Sequence, residues 1–206
     1  MKVLLINGSP RAKGNTSIAL NEMIKVFEAE GVETKLVHIG HKVIRGCVAC
    51  QNCFKLGRCV FEDIVNDVAP LLIEADGFVV GSPVYYSSPN GTVISFLDRL
   101  FYSTNAYDKT SKVAASVVIC RRGGASASFD VLNKYFGITG MTVAGSQYWN
   151  MVYGLKPGEA AQDAEGLQTM RTLAKNMTFL MKSIALGKEN VGLPAQEVWI
   201  PTHFIR

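Results

Sequence analysis

The chain has 206 residues, 48% hydrophobic and 18% charged, which is enough apolar material for one packed domain to fold unaided. Its net charge of +4 is mild and no Lys/Arg run marks a strip, which argues against a nucleic-acid partner and suits anionic small ligands. No stretch approaches the ~20 apolar residues that cross a bilayer. Residues 3–6 are too short for the apolar core of a secretory leader, so a cytoplasmic protein with no membrane partner is expected.

Residues 2–7 form a short apolar run closed by Gly8-Ser9-Pro10, the pattern of a buried parallel strand. Ile18, Leu20, Met23, Ile24 and Phe27 then fall at helical spacing, with Gly31 as a stop. Residues 34–39 read as the second strand, and a cysteine-rich loop occupies 45–60. Residues 63–75 carry a helical face of Ile64, Val68, Leu71 and Leu72, but Pro70 moves the expected start to near Val68. Residues 77–82 make a third strand ending at Pro83. The next helix is marked by Val93, Phe96, Leu97, Leu100 and Phe101, with Ser88 expected as its N-cap and Pro89 just inside. Residues 112–120 are the fourth strand, and Gly123-Gly124 leads into a helix with Phe129, Leu132 and Phe136 inward. Residues 141–144, with 148–151 as a second piece, make the last strand. Leu167, Met170, Leu173, Met177, Leu180 and Ile184 give the longest helical stripe. The tail after Gly192, with Trp199 and Phe204, is expected to pack against a neighbouring element or subunit.

Five strands alternating with helices imply an α/β fold whose parallel sheet is covered on both faces by right-handed crossovers. Ligands of such sheets bind at the carboxyl ends of the strands. Three unusual loops lie there, at 8–17, 82–90 and 120–126. The first enters a helix, whose unpaired N–H groups and partial positive charge suit a phosphate. Gly8 and Gly14 permit close approach, Ser9, Asn15, Thr16 and Ser17 are short donors, and Arg11 is a forked cation. The bland alternative is a capped turn with Arg11 in water. The nucleotide-hydrolase loop requires Gly-x-x-x-x-Gly-Lys-Ser/Thr; here five residues separate Gly8 from Gly14, and Asn15 stands in place of the lysine. Gly-x-Gly-x-x-Gly is absent after the first strand as well, which leaves a mononucleotide phosphate.

In the second loop Pro83 stiffens the turn, and Tyr85 and Tyr86 can lie against a flat ring or else cap the sheet edge or meet a subunit. In the third, Gly123 and Gly124 let backbone N–H groups approach a ligand edge, and Arg122 can stabilise an anion there; a plain turn with solvated arginines is the competing reading. The spacing Cys47-x-x-Cys50-x-x-Cys53-x5-Cys59 lets thiolates wrap one iron–sulfur cluster corner by corner. Zinc sites more often pair two separated hooks, and reduced, inert thiols are the third reading. Val60 stands where the ferredoxin proline would be. Cys120 reads as a core residue, and His38, His41 and His203 show no ligand spacing.

Gly-Ser-Pro-Arg-x-x-Gly-Asn-Thr at 8–16, Gly-Ser-Pro-Val-Tyr at 81–85 and Phe-Leu-Asp-Arg at 96–99 resemble the NAD(P)H-dependent FMN reductase branch of the flavodoxin-like superfamily, over essentially the whole chain. The resemblance implies one domain, 1–206, folded as a flavodoxin-like three-layer sandwich with a five-stranded parallel sheet of order 2-1-3-4-5. It implies that Ser9, Arg11, Asn15 and Thr16 bind the FMN phosphate. Pro83, Val84, Tyr85 and Tyr86 would line the isoalloxazine, and Gly123-Gly124 would meet its edge. Asp98 and Arg99 are expected to be structural, as a helix-surface ion pair or subunit contact. The cysteine loop resembles that of the iron–sulfur flavoproteins, which implies a 4Fe-4S cluster on Cys47, Cys50, Cys53 and Cys59. The activity implied is transfer of hydride from NAD(P)H to FMN, and of electrons onward to a quinone, a nitro or azo compound, or an iron–sulfur centre. No side-chain acid or base is required. The alternatives are a non-enzymatic electron carrier between redox proteins and a zinc-stabilised module that has lost flavin. A homodimer or homotetramer is implied as well, with Tyr102, Tyr107, Tyr148, Trp149 and Trp199 as interface candidates.

Overall fold

A computed structural model describes residues 1–198, 200–202 and 204. Its elements are β1 (Lys2–Asn7), α1 (Asn15–Ala29), β2 (Glu33–His38), α2 (Cys53–Leu56), α3 (Ile64–Glu74), β3 (Gly77–Tyr85), β4 (Ser88–Pro89), α4 (Gly91–Ser103), β5 (Val113–Cys120), α5 (Ala125–Ile138), β6 (Thr142–Val143), β7 (Met151–Tyr153) and α6 (Ala164–Asn190). The main sheet runs β2-β1-β3-β5-β6 and its strand pairs are parallel. Its last position is split, because β6 pairs with Val113 and Ala114 while β7 pairs with Val118, Ile119 and Cys120. This is the expected order 2-1-3-4-5 with a broken edge strand.

Alternation along β1 builds two cores. Leu4 and Ile6 face a cluster with Phe78, Val80, Phe96, Leu100 and Phe136 from the α3, α4 and α5 side. Val3 and Leu5 face the opposite cluster, where Leu20, Phe27, Met170 and Met177 come from α1 and α6. Helices cover both faces, as a parallel sheet requires.

Two expected boundaries are corrected. Pro70 does not delay α3, which starts at Ile64 behind an Asp63 N-cap that accepts from the Val65 N–H at 3.1 Å. Pro70 lies on the exposed side, while buried Val65, Val68 and Leu72 on either side of it hold both halves to the core. Ser88 does not cap α4; it pairs with Tyr85 in a short antiparallel hairpin, and the cap is Asn90, whose Oδ1 accepts from the Thr92 N–H at 2.8 Å. Two buried lysines finish helix ends. Lys112 Nζ donates to the Ile73 and Ala75 carbonyls at the end of α3, and Lys109 Nζ to the Thr104 and Tyr107 carbonyls after α4. The roles considered for Trp199 and His203 lie outside the described residues, and Phe204 is exposed. Among the described residues no helix is long and apolar enough to cross a membrane.

Candidate functional site

The first loop is shaped by short bonds before any ligand enters. Asn7 Oδ1 accepts from the Ser9 N–H at 3.0 Å, and Ser9 Oγ accepts from the Arg11 N–H at 3.2 Å. The Gly14 N–H closes the turn onto the Arg11 carbonyl at 3.0 Å. His38 Nε2 bonds the Ser9 carbonyl at 2.6 Å from the end of β2 and stacks on His41. Gly40 seats its backbone against the Ser9 carbonyl so closely that any Cβ there would overlap it. Gly8 is required for packing, since a Cβ would collide with a Val93 methyl of α4.

The start of α1 is left open. Gly14 occupies the N-cap and no side chain caps the helix, so its first N–H groups are available to an anion. Arg11 is exposed, and its guanidinium has no partner among the described residues. Asn15 is differently employed: its Oδ1 accepts from the Gly158 and Ala160 N–H groups, and its amide donates to the Lys156 carbonyl at 3.0 Å. The Asn15 side chain therefore clamps the 154–160 segment to α1, which leaves its backbone for a ligand. Ser17 turns onto its own helix, accepting from Asn21.

A cavity of about 210 Å³ joins these pieces at the carboxyl ends of β1, β3 and β5. Ser9, Arg11, Gly14, Asn15 and Thr16 line one side, and Pro83, Val84 and Tyr85 another. Cys120, Arg121, Gly154 and Leu155 complete it. Tyr86, Arg122, Gly123, Gly124 and Ser17 do not line it. Tyr86 is fully exposed on a two-residue turn in which Tyr86 and Ser87 both adopt left-handed φ, of 51° and 59°. Gly124, at φ 87°, lets the third loop pack on that turn, since its Cβ would come within 2.6 Å of Ser87 Cα. Sequence reasoning did not find Arg121, the 154–157 segment or the lining role of Cys120. The available signal was that the last strand also has a carboxyl end, and its exit loop belongs to the same rim.

The four cysteines of the 45–60 loop line a separate cavity with Arg99, Phe61 and Tyr102. All are free thiols; Cys47 and Cys50 are exposed and Cys53 and Cys59 half-buried. Burial pushes the Cys53 thiol above its ordinary range. Between them Ala49 and Gln51 adopt left-handed φ of 52° and 58°, conformations unusual without glycine. Asn66 braces the loop's end by accepting from the Cys59 N–H and donating to the Cys59 and Phe61 carbonyls.

Arg99 is not a helix-surface or subunit residue; this expectation is corrected. It is 1% exposed and paired in a bidentate fork with Asp63, at 2.6 and 2.9 Å, while its Nε donates to Cys59 Sγ at 3.3 Å. Burial opposes its charge, but the bonds from Asp63 and Cys59 outweigh that and raise it above its ordinary value. Asp98 accepts instead from the Tyr135 hydroxyl. Four thiols on one cavity with a fixed cation beside them fit an anionic, thiolate-held group by their chemistry. The thiols do not close on a point: among the described residues no three His, Cys, Asp or Glu side chains are arranged to hold a metal ion.

The family model described as NADPH-dependent FMN reductase matches residues 1–156. The chain belongs to this family. An iron-sulfur flavoprotein of Methanocaldococcus jannaschii is 31% identical over 191 residues, covering 89% of this chain and 99% of that one. Among solved structures, RosB with bound 8-demethyl-8-formylriboflavin-5'-phosphate superimposes with a TM-score of 0.71 at 19% identity, covering 100% of this chain and 94% of RosB. The NAD(P)H:quinone oxidoreductase of Methanothermobacter marburgensis gives 0.66 at 14% identity, covering 86% of this chain and 96% of that one. At these identities the two structures show the fold, a flavodoxin-like α/β sandwich.

Proposed function

We propose that this FMN reductase family member, a single domain over 1–206, is an oxidoreductase that uses FMN to take hydride from NAD(P)H. It passes electrons to a small acceptor, such as a quinone or a nitro or azo compound, or to a 4Fe-4S centre on Cys47, Cys50, Cys53 and Cys59. The observation that carries this is the uncapped start of α1 opening into the same cavity as Pro83, Val84 and Tyr85. FMN, when bound, supplies the hydride and electron chemistry. The chain's residues bind and orient it. The N–H groups at 15–16 and the Arg11 fork take the phosphate, Tyr85 offers a ring face, and Arg121 offers a cation on the opposite rim. Tyr86, Arg122, Gly123 and Gly124 then act from outside the cavity, as the turn and its packing partner. The test is an anaerobic visible spectrum of the purified protein before and after NADPH or NADH. A flavin spectrum that bleaches on a catalytic timescale is expected, and colourless protein that ignores added FMN would overturn the reading.

A second reading, electron carriage between proteins, is favoured by the charge distribution. Residues 41–61 contain Lys42, Arg45, Lys55 and Arg58, all exposed, and no acid, so the cysteine segment itself carries four positive charges. The remaining 17 basic residues balance the 17 acidic ones. Arg58 is paired with Glu62, so Lys42, Arg45 and Lys55 are the cations beside the cysteines that suit an acidic redox partner by steering. Bleaching by a reduced protein donor but by neither nicotinamide would select this reading. The homodimer or homotetramer stays part of the proposal, with exposed Tyr102, Tyr107, Tyr148 and Trp149 as contacts.

A further inference from the structure

We propose that Arg99 is the positioning residue of the four-cysteine pocket, clasping both ends of its loop and holding a fixed positive charge against the Cys59 sulfur. The inference rests on reading that pocket as a thiolate site.

Arg99 is the largest fully buried side chain among the described residues. A guanidinium carries five N–H donors in a rigid fork, and all five are used. Nε donates to Cys59 Sγ at 3.3 Å. One terminal nitrogen donates to Asp63 Oδ2 and the Arg45 carbonyl, at 2.6 and 3.4 Å. The other donates to Asp63 Oδ1 and the Phe61 carbonyl, at 2.9 and 3.3 Å. Arg45 precedes the first cysteine and Phe61 follows the last, so one side chain ties the entrance of the loop to its exit.

The post that bears this clasp is rigid. Val93, Phe96, Leu97 and Leu100 of the same helix are completely buried in the core beneath the sheet. Asp63 is fixed as well, because it also caps α3 through the Val65 N–H. The carboxylate offsets the guanidinium's charge from one side, and the Nε–H still points at sulfur from the other. A donor and a positive charge aimed at sulfur favour an anionic group held there, and such contacts tune the potential of a thiolate-bound cluster. Apolar residues in place of both Arg99 and Asp63 would fill the space without the desolvation cost of two charges, so packing alone does not account for the pair.

Arg99→Lys keeps the charge beside Asp63 but has one point donor in place of the fork, and Arg99→Gln removes the charge. Hydrogen exchange of the bonded amides at 54–59 should quicken at least tenfold in both variants, with the amides of β1 and α1 unchanged. After anaerobic reconstitution with ferrous iron and sulfide, Arg99→Gln should retain less than half the iron per chain of the parent. The centre it does hold should have a lower midpoint potential, because a cation next to sulfur favours the reduced state. Arg99→Lys should restore most of that potential without restoring slow exchange. Unchanged exchange at 54–59, or a uniform rise across the chain, would overturn the clasp. An unaltered potential in Arg99→Gln would overturn the electrostatic half. If the parent chain takes up no iron, the reading of the pocket fails, while the exchange experiment still decides the clasp.

Discussion

The loop after β1 and the loop before α3 carry the two chemical signals of this chain, and they are held in different ways. The first is short and braced by many small contacts: Asn7, Ser9 and Gly14 within the loop, and His38 and Gly40 from the end of β2. Its position is set by the register of β1 between β2 and β3. The cysteine loop has one four-residue helix and no strand, and it hangs from the Arg99–Asp63 pair and from Asn66. Distributed support tolerates the loss of any one contact, whereas concentrated support does not. Asp63→Ala is the largest test of that contrast. It strips the partner from a buried guanidinium, a loss of about 3–5 kcal/mol, and removes an N-cap worth about 1 kcal/mol. A urea melt should show the drop, and below the transition FMN titration should show the flavin still bound. Asp63→Asn, which keeps a good cap, should recover only the smaller part. Loss of flavin in step with loss of the cysteine loop would break the comparison.

Around the start of α1 the contrast sharpens to two neighbouring side chains. Arg11 has no intramolecular partner among the described residues, while the Asn15 amide makes three bonds to the 154–160 segment. Arg11→Ala should therefore weaken FMN by roughly tenfold to a hundredfold, the scale of a charge-assisted bond of about 1.5–3 kcal/mol, with the melting temperature of the flavin-free protein unchanged. Asn15→Ala should lower that melting temperature, with a loss of about 1–3 kcal/mol for orphaned partners, and loosen FMN through the displaced segment. Flavin titration beside thermal melts of the apoprotein separates the two. An Arg11→Ala apoprotein that melts early would show that the arginine is structural after all.

Residues that act through near neighbours were legible in the sequence. The apolar runs at 2–7, 77–82 and 112–120 predicted the three central strands, and the stripes at 18–27, 93–101 and 167–184 predicted their helices. That Ser9, Arg11 and Thr16 share one cavity rim was legible because a strand-to-helix loop is a local object, written in consecutive residues. Misjudged elements depended on distant partners. Pro70 is tolerated because core contacts on both sides outweigh one missing bond. Ser88 lost the cap to Asn90 because the left-handed turn at 86–87 folds it back onto Tyr85. Arg99 sits at the border of α4's buried arc, and its carboxylate lies 36 residues away across a loop, so periodicity gives no hint of the pair. Arg121 and Arg122 are indistinguishable in sequence; only the end of β5 decides which one faces the cavity.

The smallest effect belongs to a support outside both loops. Glu22 of α1 accepts from Arg171 of α6 at 2.6 Å and from Lys25, joining α1 to the long helix beside it. The Arg171 bond is the main cause that holds the Glu22 carboxyl below its ordinary value of 4.5, against a burial that raises it. A folded value below the unfolded one means that the stabilisation is complete above pH 4.5 and fades as the pH falls through the folded value. Arg171 is 45% exposed, so solvent screens the pair and its worth is about 0.2–1 kcal/mol. Glu22→Gln should lower the melting temperature slightly at neutral pH and not at all well below pH 4, and added salt should shrink the difference. FMN affinity should not change, because the bonds within 7–14 hold the loop without α6. A measurable loss of flavin in Glu22→Gln would mean that the first loop, too, depends on a single distant anchor.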